Sequence, residues 1–327
     1  MKRCDYRGRF APSPTGPLHF GSLVAALGSY LDAKYHHGTW LVRMEDLDTP
    51  RCTPEAADDI LRILDVYGLH WDGEVIYQSQ RTSAYEEALV QLRNIGAGYP
   101  CCCTRKEIAD SALHGIEGPV YPGTCRNGIP AGREARAWRV RTDSSPFDIA
   151  IRLSHQAGKS LVISANGSVG FEDALQGRIT QHMENDIGDF VVRRADGLFA
   201  YQLAVVVDDA FQHITHIVRG ADLLQSTPRQ IYLQKLLGLP TPHYLHLPVV
   251  VNAQGEKLSK QTLAEPINKD KVTTTLFDAL LFLQQSPPSQ LRSGNLDEIL
   301  AWAVHHWQPA KLAGIKTMQV IHDSSSV

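Results

Sequence analysis

The period of apolar positions along this 327-residue chain changes several times, and the changes outline an α/β protein. Phe10-Ala11 ends a short apolar run that predicts a strand. Pro12, Pro14, Gly16 and Pro17 follow, a cluster that no helix or strand interior tolerates. From Ser22 the pattern LVAALGSYLDAKY predicts a helix, with Leu23, Ala26, Leu27, Tyr30 and Leu31 on one face. Gly38-Thr39 then turns the chain into WLVRME, a second predicted core strand. Thr53-Pro54-Glu55 opens another helix, with Thr as cap, Pro in the first turn and an acid near the positive end of the dipole. Ile60, Leu61, Leu64 and Tyr67 form its apolar face, and a further amphipathic helix is predicted near residues 83–94.

Residues 132–181 (AWRVRTD, DIAIRLS, VGFEDALQGRITQ) read as short strands with turns. DFVVRR, FAYQLAVVVDD and HITHIVRG are nearly continuous in apolar character and predict buried parallel strands. After the apolar run LPVVV, FDALLFLQQSPPSQL and LDEILAWAVHHW predict two short amphipathic helices separated by a Ser/Pro break.

Composition narrows the class. A hydrophobic content of 43% and a charged content of 20% describe a soluble globular protein of about two domains. The N-terminus MKRCDYRGRF has no signal-peptide core, and no apolar run is long enough to span a bilayer. A cytoplasmic protein with no membrane partner is expected. Six cysteines, three of them adjacent, suit a reducing compartment and a metal site better than a disulfide framework. With a net charge of −3, any RNA must be held by a local basic face.

Three stretches carry candidate chemistry. In RFAPSPTGPLHFGS a strand end, a turn and a helix start aim free backbone N–H groups at an anion. His19 adds a side-chain donor there, and Gly21 permits close approach to the backbone. Glu45-Asp46-Leu47-Asp48 puts acids at the carboxyl end of a strand, where open α/β sheets bind ligands. Cys101-Cys102-Cys103 and, about twenty residues on, Cys125 read as a structural zinc site. Cys102, His114 and Tyr121 are the candidates for its fourth ligand.

PLHFGS together with EKLSKQ (256–261) resembles the two signature elements of class I aminoacyl-tRNA synthetases, HIGH and KMSKS. RFAPSPTGPLHFGSLVAAL, LVRMEDLDTPR, AYQLAVVVDDAFQHITHIVRGADLL and STPRQIYLQKLLG resemble the glutamyl-tRNA synthetase catalytic domain, block after block, over roughly residues 7–265. The resemblance implies a Rossmann-like parallel sheet split by a zinc-containing α+β insertion. The implied bounds are 1–99 and 187–265 for the two catalytic halves, 100–186 for the insertion and 266–327 for a short helical end.

The resemblance also implies site residues. Arg9, Phe10, Ala11, Pro12, Ser13, Glu45, Tyr201 and Arg219 fall on glutamate-pocket positions, with Glu45 pairing the substrate ammonium. Arg9 and Arg219 offer two guanidinium forks to its carboxylates, which disfavours glutamine. His19, Gly21, Ser22, Lys257, Ser259 and Lys260 fall on ATP-handling positions. Of these, His19, Lys257 and Lys260 are expected to be catalytic. Magnesium is expected to travel with ATP. In small relatives the metal pattern is C-x-C followed by Y-x-x-x-C, implying Cys101, Cys103, Tyr121 and Cys125, with Cys102 pointing away as a plain buried thiol.

The chain departs from the family at Ser22 (the second His of HIGH), at Gln261, and at Val205, where a substrate-contacting Asn is usual. Val205 leads to the expectation of a weaker or differently polarised amino-acid pocket. Only about 65 residues follow KLSKQ, too few for a large anticodon-binding domain. This implies the truncated branch, the glutamyl-queuosine tRNA(Asp) synthetases, monomers that attach L-glutamate to queuosine in tRNA(Asp). Two other readings remain open: a minimal glutamyl-tRNA synthetase charging the 3′ end, and a synthetase-like RNA-binding module without catalysis.

Overall fold

The computed structural model describes residues 6–110, 113–115, 118–143, 167–258 and 265–319. Two groups of strands meet in the middle of the molecule. On one side, Arg7–Phe10, Thr39–Met44 and Ile76–Tyr77 pair in parallel in that order. On the other, His216–Gly220 pairs in parallel with His243–Leu247, which continues into the hairpin Ser168–Asp173/Gly177–His182. They are joined where the Thr215 N–H donates to the Arg7 carbonyl (3.0 Å) and the Arg7 N–H to Thr215 Oγ1 (2.9 Å). The carboxyl ends of Arg7–Phe10 and His216–Gly220 therefore open side by side, the topological position at which α/β sheets take ligands.

The helix Phe20–Tyr35 begins two residues earlier than its apolar period suggests, because His19 caps it. It buries Leu23, Leu27 and Leu31 against Trp40 and the first strands. Gly28 eases this approach: a Cβ there would lie 2.5 Å from Leu247 Cδ1 and would push that side chain aside. The two C-terminal helices, Val272–Phe282 and Leu296–His305, add Leu276, Leu280 and Ile299 to this same core. Trp307 Nε1 donates to Asp32 Oδ1 (2.9 Å) and ties that region to the first helix. A second core lies under the helices Thr82–Asn94, Tyr201–Phe211 and Thr227–Leu236.

FAYQLAVVVDD is not a strand. Residues Tyr201–Phe211 are helical, with Leu203, Ala204, Val205 and Val206 all buried. Four consecutive buried positions take up a full turn of the helix with apolar residues, so the run looks like a buried strand in sequence. DFVVRR does form a strand, Phe190–Arg193, but pairs antiparallel with Ala137–Val140, which pairs antiparallel with Gly98–Cys101. This small sheet draws strands from both sides of residues 99/100 and 186/187. The predicted strand DIAIRLS lies outside the described residues.

Candidate active site

A cleft of about 850 Å³ opens at the paired carboxyl ends. Its walls include Arg9, Phe10, Ala11, Pro12, Ser13, His19, Gly21, Ser22, Glu45, Tyr201, Arg219 and Lys257. Residues separated by more than 200 positions in sequence thus converge on one cavity. Ser259 and Lys260 lie outside the described residues. Val205 is fully buried in the second core and is not on the cleft wall.

His19 Nδ1 accepts from the Ser22 N–H (3.3 Å). That bond fixes the ring as the tautomer protonated at Nε2. Gly21 has a role beyond the one expected of it, because a Cβ there would come within 3.2 Å of the His19 ring. Glycine makes room for the ring to fold back over the helix start. Lys257 Nζ reaches the cleft from the segment after Val249–Val251 and pairs with Asp222 Oδ2 at 2.6 Å.

Below the cleft floor lies an ion cluster. Asp209 Oδ1 accepts from Arg9 Nε (3.2 Å) and Arg43 Nη1 (2.8 Å), and Arg43 Nη2 donates to Glu45 Oε1 (3.3 Å). All of these side chains are at most 8% exposed. Burial pushes the Glu45 carboxyl up, with Arg43 and Arg9 pulling the other way. At Asp209 burial pushes up as well, but Arg9 and Arg43 outweigh it and hold the carboxyl below its usual range. Arg9 spends only Nε on this cluster. Its Nη1 and Nη2 have no hydrogen-bond partner among the described residues, so a two-pronged donor faces the cleft.

Arg219 is held differently from the fork expected of it. Nε donates to His246 Nε2 (3.0 Å), while Nη2 donates to Thr227 Oγ1 and Gln230 Oε1 (2.8 Å each). Nη1 makes only a long 3.4 Å contact to the Tyr201 hydroxyl. One nitrogen, not a fork, is left for a ligand. Sequence reasoning missed Arg43, His246, Thr227 and Gln230. The one available signal was Arg43, a charge at the centre of the apolar run WLVRM.

Elsewhere, the Sγ atoms of Cys101, Cys103 and Cys125 lie within 4.8 Å of one another. The Tyr121 hydroxyl is 3.4 Å from both Cys101 Sγ and Cys103 Sγ. Three sulfurs at this separation fit a tetrahedral ion with bonds of about 2.3 Å. Burial opposes ionisation of Cys125, but hydrogen bonds from Tyr121, Cys102 and Cys103 pull its thiol down to about 7. Cys102 does not point away as expected: its Sγ is 3.6 Å from Cys125 Sγ, outside the group of three. The side chain of His114 lies outside the described residues.

Residues 5–282 match the family described as tRNA synthetases class I (E and Q), catalytic domain. The chain belongs to this family. Among similar proteins, this class I synthetase is 59% identical over 304 residues to the glutamyl-Q tRNA(Asp) synthetase of Dechloromonas aromatica, covering 92% of this chain and 94% of that one. It is 54% identical to the protein of the same name from Chromobacterium violaceum, over 95% and 97% of the two chains. A solved glutamate tRNA ligase from Elizabethkingia meningosepticum shares the fold, with a TM-score of 0.71 at 21% identity over 97% of this chain and 67% of that one. Among the described residues of this synthetase no helix is long and apolar enough to cross a membrane.

Proposed function

We propose that this chain uses ATP to activate L-glutamate and transfers the glutamyl group to the queuosine base in the anticodon of tRNA(Asp). The observation that carries the reading is the cleft. A buried carboxylate, two buried guanidiniums and a histidine-capped helix start face one cavity, in a chain 59% identical to a protein bearing that name. An ammonium suits Glu45, whose carboxylate is incompletely compensated by Arg43. The α- and γ-carboxylates of glutamate suit the fork of Arg9 and the single nitrogen of Arg219. Glutamine would bring a neutral amide to one cation and leave it poorly paired.

ATP lies with its phosphates over His19, Gly21 and Ser22, and Mg²⁺ enters with the nucleotide. An α-carboxylate oxygen of glutamate bonds to the α-phosphorus while the bond to pyrophosphate breaks, giving glutamyl-adenylate. His19, the helix N–H groups and Lys257, with Ser259 and Lys260 of the same KLSKQ motif, offset the charge that builds on the phosphate oxygens. An acceptor hydroxyl then attacks the activated carbonyl carbon, AMP leaves, and its phosphate takes up the hydroxyl proton. No protein nucleophile is required.

Cys101, Cys103, Tyr121 and Cys125 would hold one Zn²⁺, which when bound supplies a structural cross-link. The catalytic halves at 1–99 and 187–265, the insertion at 100–186 and the helical end at 266–327 complete the proposal, with the insertion gripping the tRNA. The protein acts as a monomer in the cytoplasm. Glutamate-dependent ATP–pyrophosphate exchange without tRNA tests the activation step. Exchange with glutamate and none with glutamine is expected. No exchange with either would remove glutamate activation from the account.

A further inference from the structure

Arg219 sits 5% exposed at the cleft wall, and its orientation is set by residues from three other elements. His246, on the strand His243–Leu247, receives its Nε–H, and His246 Nδ1 lies 2.6 Å from Asp173 Oδ2. Both the His246 and Asp173 side chains are fully buried. Asp173 closes the strand Ser168–Asp173, and its Oδ1 accepts the backbone N–H groups of Leu175 (3.0 Å), Gln176 (2.9 Å) and His246 (3.3 Å).

With Oδ1 committed to backbone donors, Oδ2 is left as an acceptor for His246. The imidazole must therefore carry its proton on Nδ1 and present a lone pair at Nε2, the atom that Arg219 Nε–H addresses. The opposite tautomer would set a donor against a donor. A doubly protonated ring would do the same and add a second buried cation beside Arg219. Burial, with Arg219 adding to it against the pull of Asp173, lowers the His246 pKa to about 4, so the ring is neutral at ordinary pH. Thr227 and Gln230 take both N–H groups of Nη2 only in this guanidinium plane, leaving Nη1 at the cleft.

We propose that His246 and Asp173 are positioning residues for Arg219, forming an Asp–His–Arg relay whose fixed Nδ1–H tautomer aims Nη1 at a carboxylate of the amino-acid substrate. Neither residue touches the substrate. The proposal rests on the reading that this cleft activates glutamate, but it makes a claim about the ligand-free protein that stands apart from that reading. It also connects the hairpin 168–182 to the amino-acid pocket, because Asp173 begins the tight turn between the hairpin's two strands.

Two substitutions separate positioning from bulk structure. His246→Gln keeps an acceptor near the place of Nε2, whereas His246→Asn keeps only a donor near Nδ1. The glutamate KM in ATP–pyrophosphate exchange should rise roughly 10–100-fold for His246→Asn, the usual loss for an orienting partner. For His246→Gln it should rise several-fold less, and the ATP KM should stay nearly constant in both. Equal glutamate KM values for the two variants would overturn the relay. Imidazole ¹⁵N spectra of the unaltered protein should show His246 protonated at Nδ1. Asp173→Asn, which turns an amide donor toward the ring, should move the proton to Nε2. A ring already protonated at Nε2 in the unaltered protein would overturn the proposal even if the variants do not fold. Absence of exchange in the unaltered protein would instead count against glutamate activation and leave the tautomer measurement to decide the relay.

Discussion

Asp209→Ala removes the anion on which two buried guanidiniums converge. Arg9 Nε and Arg43 Nη1 both donate to its Oδ1, at 3.2 and 2.8 Å, and the carboxylate is 4% exposed. Each charge-assisted hydrogen bond is worth about 1.5–3 kcal/mol net. The two share one oxygen and are not additive, and breaking a buried pair by deleting one partner costs about 3–5 kcal/mol. After the substitution Glu45 is the carboxylate left in hydrogen-bond contact with Arg43 and Arg9 Nε is left without its acceptor, so the larger part of that range is expected. Urea unfolding followed by circular dichroism should show a loss of about 4 kcal/mol with an unchanged slope. Asp209→Asn preserves shape and one acceptor but not charge, and should lose about half as much. In both variants the glutamate KM should rise far more than the ATP KM, because Arg9 loses the contact that aims its fork. A loss below about 1 kcal/mol, the scale of an exposed pair, would show that packing rather than the ion cluster sets Arg9.

Lys257→Ala should slow ATP–pyrophosphate exchange by roughly 10²–10³, the usual loss for one preorganised charge-stabilising donor, with glutamate binding by calorimetry hardly changed. Near-normal exchange would remove the phosphate role of this lysine. The purified protein should carry about one zinc per chain, and Cys125→Ser should lose it together with several degrees of melting temperature; a metal-free protein of unaltered melting would contradict this. His216 and His246 are both lowered from 6.5 to about 4, chiefly by burial. Between those values the unfolded chain binds protons that the folded chain does not, so stability should fall as pH drops from about 6.5 towards 4. Asp173 and Asp209, held below the ordinary carboxylate range, should add a further loss below about pH 4. A urea midpoint independent of pH between 7 and 4.5 would contradict the histidine assignment.

Local signals were legible wherever period and punctuation agreed. The helix at Phe20–Tyr35 was announced by its turn and its apolar face, and Thr53-Pro54-Glu55 by its capping chemistry, with Thr53 accepting from the Ala56 N–H. The helix Tyr201–Phe211 was misread because its buried turn Leu203–Val206 is apolar at every position, which erases the polar positions that reveal a 3.6-residue period. The antiparallel pairing of Phe190–Arg193 was illegible for another reason, since strand partners are fixed by tertiary packing and not by the strand's own residues. In the site, residues that face the cleft could be named from motifs. Those that hold them could not. Arg43, Asp173, His246 and Gln230 act through contacts that reach from 11 to 166 positions along the chain, and nothing in their immediate sequence marks a partner at that distance. The expectation of two guanidinium forks departs from the structure at Arg219 on the same ground, since neighbours claim its Nε and Nη2 but only the Nε of Arg9.

Transfer of labelled glutamate to tRNA(Asp) tests the central claim most directly. Label should appear on tRNA(Asp) that carries queuosine, where the cyclopentenediol offers a nucleophilic hydroxyl, and should remain after the 3′-terminal adenosine is removed. Equal labelling of queuosine-free tRNA(Asp), with the label lost along with that adenosine, would contradict the account and assign the chain to charging of the 3′ end.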